Sequence, residues 1–176
     1  MMFRLTAVVL FGLLLPLPSY AAPPKDLYGK SVSITWTETR EQRPVGEEAW
    51  RQVAGSQTLN IYVSEAGRVF NNLSYSTRGG SAERKGEIAG SGTRSHEFNG
   101  RSLVAVMPHG VGGATRITAD FDAGFGSCSA QVTRAKEGAG TIIRVYSGII
   151  KRFNEVKSIQ VGSVSCSIRN GNVFAN

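Results

Sequence analysis

Lys30-Ser31-Val32-Ser33-Ile34-Thr35-Trp36-Thr37-Glu38 alternates without a break, setting Val32, Ile34 and Trp36 against Ser31, Ser33 and Thr35. Successive residues of a strand face opposite sides, so a period of two predicts a β-strand with one face in a core and one in water. The same rhythm recurs along the chain. Gln57–Ser64 carries Leu59, Ile61 and Val63 on one face. Glu65-Ala66-Gly67 then turns the chain into a third strand bearing Val69, Leu73 and Tyr75, which together read as a hairpin. Arg101–Met107 reads as a strand ending at Pro108. Residues 114–122 alternate through Thr115, Ile117, Ala119 and Phe121, and Gly124 turns them into a paired strand through Cys128 and Val132.

The remaining segments extend this pattern. Residues 78–100 are polar and rich in glycine, which predicts a long loop or weak edge strands. Between Ile142 and Phe153 the apolar spacing fits a helix face, but β-branched residues and Gly148 favour a strand. Val156–Arg169 reads as the last strand or strand pair, with Gly162 a bulge or bend and Asn170-Gly171 a turn. A short helical turn is predicted around Glu47–Val53, with Trp50 plugging one end of the fold. The fold class is therefore all-β and mainly antiparallel: a single-domain sandwich or short barrel of about 7–9 strands with at most one or two short helices.

Outward from that domain, the first 21 residues read as a cleaved signal peptide. Arg4 precedes an apolar run from Leu5 to Leu17, too short to span a bilayer, and Ser19-Tyr20-Ala21 places small residues where a signal peptidase reads them. Loss of residues 1–21 leaves a single β-rich domain over 22–176 and lowers the formal net charge of +7 by one. The expected location is periplasmic or secreted. Cys128 and Cys166 are the only cysteines, each flanked by serine on both sides, and in an oxidising compartment they are expected to form a disulfide bridging two strands.

Composition and motifs exclude more than they assign. Basic residues are interspersed with acids: Arg78, Arg84, Lys85, Arg94 and Arg101 lie among Glu83, Glu87 and Glu97, so no specific nucleic-acid face is predicted. There is no Gly-x-Ser-x-Gly elbow, no His-Glu-x-x-His and no phosphate loop. His96 and His109, the only histidines, sit in polar or glycine-rich segments read as surface loops. No cofactor or metal is predicted. Trp36, Tyr62 and Tyr75 are candidate pocket residues, since apolar walls with a few polar groups suit small ligands.

The layout of a signal peptide, a Trp-bearing first strand and about eight strands resembles the lipocalin carriers. In lipocalins a glycine stands two residues before that Trp. Ile34 stands there in this chain, so their ligand site is not carried over. The function expected from the residues is a non-enzymatic exported binding or structural module acting through loops 78–100 and 108–114. Its partner would be an extracytoplasmic protein, a glycan or a small apolar ligand. The alternatives are a barrel-type carrier of a small apolar ligand and a hydrolase using His96 or His109.

Overall fold

The structure is a computed structural model, and the residues it describes are 22–77, 80–87, 95–109, 113–134, 141–147 and 150–175. The predicted signal peptide lies outside them. Ten strands are present among the described residues: β1 (Lys30–Pro44), β2 (Arg51–Val63), β3 (Val69–Thr77), β4 (Gly80–Glu87), β5 (Ser95–Asn99), β6 (Ser102–His109), β7 (Gly113–Phe121), β8 (Cys128–Arg134), β9 (Thr141–Ser147) and β10 (Ile150–Asn170). They form a six-stranded sheet in the order β4-β3-β2-β1-β10-β9 and a four-stranded sheet in the order β5-β6-β7-β8. Every ladder is antiparallel. The architecture is thus a two-sheet β-sandwich, with one strand more than the upper end of the expected range.

The alternation read from Val32, Ile34 and Trp36 decides the interior. All three are fully buried, as are Ile61 and Val63 of β2 and Leu103, Ala105, Ile117 and Ala119 of the facing sheet, while Leu59 is nearly so. These side chains form one core cluster drawn from both sheets. On the outer face of β1 the hydroxyl residues pair across strands. Ser33 Oγ donates to Asn60 Oδ1 at 2.6 Å, and Thr35 and Thr58 share a hydrogen bond at 3.0 Å.

A Cys128–Cys166 disulfide ties β8 of the small sheet to β10 of the large one, with Cα atoms 5.5 Å apart. Cys166 lies beside Ile34 in the β1–β10 register, so the covalent link enters the sandwich at the level of the core. Opposite Thr37, the ladder gains one residue on β10 between Trp36↔Val164 and Glu38↔Val161. Of the bulge or bend read at Gly162 it is the bulge, at a position where a Cβ would collide with Thr37 Oγ1.

The expectations fail in two places, Glu47–Val53 and the 108–114 connection. No helix spans Glu47–Val53. Residues 47–50 follow the turn at Gly46 without regular structure, and Arg51 already begins β2 in register with Gln42. Helix-favouring residues over so short a stretch give a weak bias, and the β1–β2 ladder overrides it. Trp50 is 36% exposed and plugs nothing. Residues 78–100, by contrast, hold edge strands, one of the two expected outcomes: β4 and β5 each end a sheet, with 78–79 and 88–94 outside the described residues. The 108–114 connection is largely absorbed into strands, since His109 pairs with Gly113 and only 110–112 lie outside description.

The β7–β8 turn shows how local chemistry supports this packing. Asp122 accepts hydrogen bonds from the Gly126 N–H at 2.8 Å, the Ser127 N–H at 3.1 Å and the Ser127 hydroxyl at 2.9 Å. Those bonds hold Phe125 at φ 51°, a backbone state costly for an aromatic residue, while its ring packs 5.4 Å from Phe121 in the core. The Gly126 N–H, followed by the Ser127 hydroxyl, holds the Asp122 carboxyl below its ordinary value.

Two predictions follow from these contacts. Replacing both cysteines by serine removes a cross-link that, in the chain-entropy model, stabilises the domain by about 4 kcal/mol. Urea unfolding of the double variant is expected to show a lowered midpoint and an unfolding free energy reduced by that order. Because the Asp122 pKa is depressed on folding, its stabilisation is present above the unfolded value near ~4 and is lost as pH falls through the folded value. The gap in thermal midpoint between the protein and Asp122→Asn should therefore narrow from about pH 5 toward about pH 2. A constant gap would contradict the assignment.

Candidate functional site

The alternation of β1 does not stop at Trp36. Two-residue steps continue through Glu38, Arg40 and Gln42, and all three are buried or nearly so. Their cross-strand neighbours extend the same face of the large sheet: Gln57 lies between Trp36 and Tyr75, and Gly55 lies between Glu38 and Thr77. The inner face is therefore apolar at the disulfide level and polar farther along β1.

At the centre of the polar part is an ion pair. Arg40 Nε is ion-paired with Glu38 Oε1, with the Glu38 side chain fully buried and that of Arg40 11% exposed. Gln57 Nε2 donates to the other carboxylate oxygen, Oε2, at 2.6 Å. The Arg40 guanidinium lies over the Tyr75 ring, 4.5 Å from its centroid. Burial raises the Tyr75 pKa above its ordinary value; Arg40 opposes that shift and Glu38 reinforces it, so the phenol stays protonated at neutral pH. Trp36 Nε1 is buried and has no hydrogen-bond partner among the described residues. Gly55 makes room for the arrangement, because a Cβ there would stand 2.7 Å from the Ser76 carbonyl oxygen and 3.2 Å from the Tyr75 ring.

This cluster is a structural device before it is a chemical one. A buried pair recovers its desolvation only when the remaining lone pairs and N–H groups are bonded, and Gln57 and Tyr75 supply part of that here. It offers a carboxylate already engaged by one donor and one cation, and a cation already stacked. No group in it stands ready as a nucleophile or base.

The pocket residues expected from sequence are split by the structure. Trp36 and Tyr75 share the inner face through Gln57, whereas Tyr62 is on the opposite face, stacked on Phe70 at 6.2 Å. His96 is not on a surface loop. It is 7% exposed on β5, paired with Ala105 and sharing the inner face of the small sheet with Phe98. The His109 side chain lies outside the described residues. Among those residues, no cluster of three or more His, Cys, Asp or Glu is placed to hold a metal ion, and no helix is long and apolar enough to cross a membrane.

A second feature lies at the far end of β1, and the sequence reading missed it. Val45, Trp50 and Phe153 are the large apolar side chains left exposed among the described residues, at 51%, 36% and 46%. The Val45 N–H donates to the Phe153 carbonyl at 2.9 Å, joining the β1–β2 tip to β10. Pro44, Val45, Glu47 and Phe153 line a shallow open groove there. Trp50 is gripped by cations, with the Arg43 guanidinium 4.5 Å and the Lys157 ammonium 5.8 Å from its ring. Those cations are themselves paired, Arg43 with Glu155 and Lys157 with Glu41, both at 2.8 Å. The sequence signal was Trp50 flanked by charge, which the helical reading of 47–53 turned inward.

Comparison of the chain with protein-family models, with curated proteins and with solved structures returns no match.

The ion pair makes a sharp stability prediction. Glu38→Ala leaves Arg40 buried without its partner and should cost about 3–5 kcal/mol in denaturant unfolding. Replacing the pair together, Glu38→Leu with Arg40→Met, should recover most of that loss. A double-variant loss equal to the sum of the losses of Glu38→Leu and Arg40→Met made singly would show that the pair is not coupled.

Proposed function

We propose that this chain is an exported, non-enzymatic binding module that uses a rigid sandwich to present one contact surface, the tip formed by Val45, Trp50 and Phe153. The observation carrying this reading is the collection of exposed large apolar side chains at a single end of the long β1–β2–β10 arm. Isolated exposed apolar residues are ordinary, but a cluster rimmed by charge marks a contact surface. Aromatic and arginine side chains are the types that anchor protein interfaces, and Trp50 arrives already held by Arg43 and Lys157.

A protein partner fits this surface better than a small apolar ligand. Small-molecule sites enclose most of their ligand, and the groove at Pro44, Val45, Glu47 and Phe153 is open. The carrier reading asks for an apolar hollow between the sheets. That space is filled at the level of Trp36, Leu59, Ile61, Leu103 and Ile117. Export is supported by the pattern of residues 1–21 and by the Cys128–Cys166 disulfide, a bond that persists in oxidising compartments.

A photo-crosslinking residue at position 50, introduced into the chain in its native cell, tests the reading. The expected result is a discrete protein adduct from position 50, none from exposed Arg101 at the opposite end, and a mature N-terminus at Ala22. No adduct at position 50, or the same adducts from both sites, would overturn it.

A further inference from the structure

The two lateral edges of the six-stranded sheet differ in kind. At one edge, β4 reads Gly-Ser-Ala-Glu-Arg-Lys-Gly-Glu, with charges at Glu83, Arg84, Lys85 and Glu87. Charged residues along an edge strand are how native sheets discourage a further strand from pairing there. At the other edge, β9 reads Thr-Ile-Ile-Arg-Val-Tyr-Ser, without proline or glycine and with Arg144 as its only charge. High β-propensity, high hydrophobicity and low charge over about seven residues are the composition of a segment that pairs with another strand. Among the described residues β9 pairs with β10 alone.

The edge adjoins the exposed tip. Arg144 is in register with Phe153, which is hydrogen-bonded to Val45. The β9–β10 ladder begins at Ser147↔Ile150 across two connecting residues, which makes that pair hydrogen-bonded. Alternating from there, Ile142, Arg144 and Tyr146 direct their backbone N–H and C=O groups toward the open edge.

We propose that β9 is an interface strand occupied by β9 of a second copy of this chain, paired antiparallel about a two-fold axis into one continuous twelve-stranded sheet. The segment supplies its own complement. Centred on Val145, the register places each Arg144 opposite Tyr146 of the partner subunit, so that a basic position meets an aromatic one on either side of the axis. Both residues present outward backbone groups, so they form a hydrogen-bonded pair in that register. An isologous contact of this kind closes at two copies and leaves the charged β4 edges outermost. It also joins the two exposed tips on one sheet. That consequence rests on the function proposed above, whereas the dimer itself does not.

The test uses the purified, oxidised mature protein in native mass spectrometry and sedimentation. The expected species is a dimer. Arg144→Pro removes an outward N–H without touching the β10 ladder, and Ile142→Glu places a charge on the edge; each is expected to halve the mass. Circular dichroism and an intact disulfide are the controls for folding. Lys85→Pro, at the charged edge, should leave the dimer unchanged, and Val145→Cys should form a dimer linked through that position under oxidation. A monomeric protein at every concentration, or a dimer that survives both β9 variants, would overturn the proposal. Trp50→Ala separates the two readings, because it should abolish the tip's partner while leaving the dimer intact.

Discussion

Two sheets can share one interior only if their facing side chains stay opposite one another, and here that constraint is met covalently by the bond between Cys128 and Cys166. It joins β8 to β10 beside Ile34, at the level where the apolar rows of both sheets meet. The small sheet reaches the large one through few other described links, such as the Lys30 ammonium donating to the Phe125 carbonyl at 3.2 Å. The disulfide thus sets which part of the long β1 faces apolar partners. Beyond it the same strand face carries Glu38, Arg40 and Gln42.

That change along one strand organises the molecule. Near the disulfide, burial of Val32, Ile34 and Trp36 drives association of the sheets. Farther on, the interior is polar and must be satisfied by specific contacts, which Gln57 and Tyr75 provide for the Glu38–Arg40 pair. At the tip burial ends, and apolar side chains stand in the open. A single strand of 15 residues therefore passes from core through buried ion pair to half-buried Pro44, beside the exposed tip.

Much of the fold was legible because β-structure writes itself with a period of two. The alternation at Val32–Trp36, the hairpin turn at Glu65–Gly67, the pairing of 114–121 with the strand from Cys128 and the bulge at Gly162 all follow from residue types in local order. The illegible parts are those where tertiary context reverses the local signal. Glu38 and Arg40 are charged, so the apolar alternation ends there, yet the strand continues and their mutual pairing keeps them inside. His96 stands in a polar stretch, but Phe98 two residues on marks the strand face that carries both inward. Glu47–Val53 has helical composition and lies in the path of the β1–β2 ladder. The tip escaped notice because exposure is a property of what fails to cover a residue, which no local pattern encodes.

The central claim is that both sheets form a single cooperative unit through their stapled interior. Amide hydrogen exchange before and after reduction of the disulfide measures this directly. In the oxidised protein the inner-row amides of β1, β2, β6 and β7 are expected to exchange only through global opening, and reduction should lower the protection of both sheets together and by the same factor. Loss of protection confined to the four-stranded sheet, with the six-stranded sheet unchanged, would contradict the account.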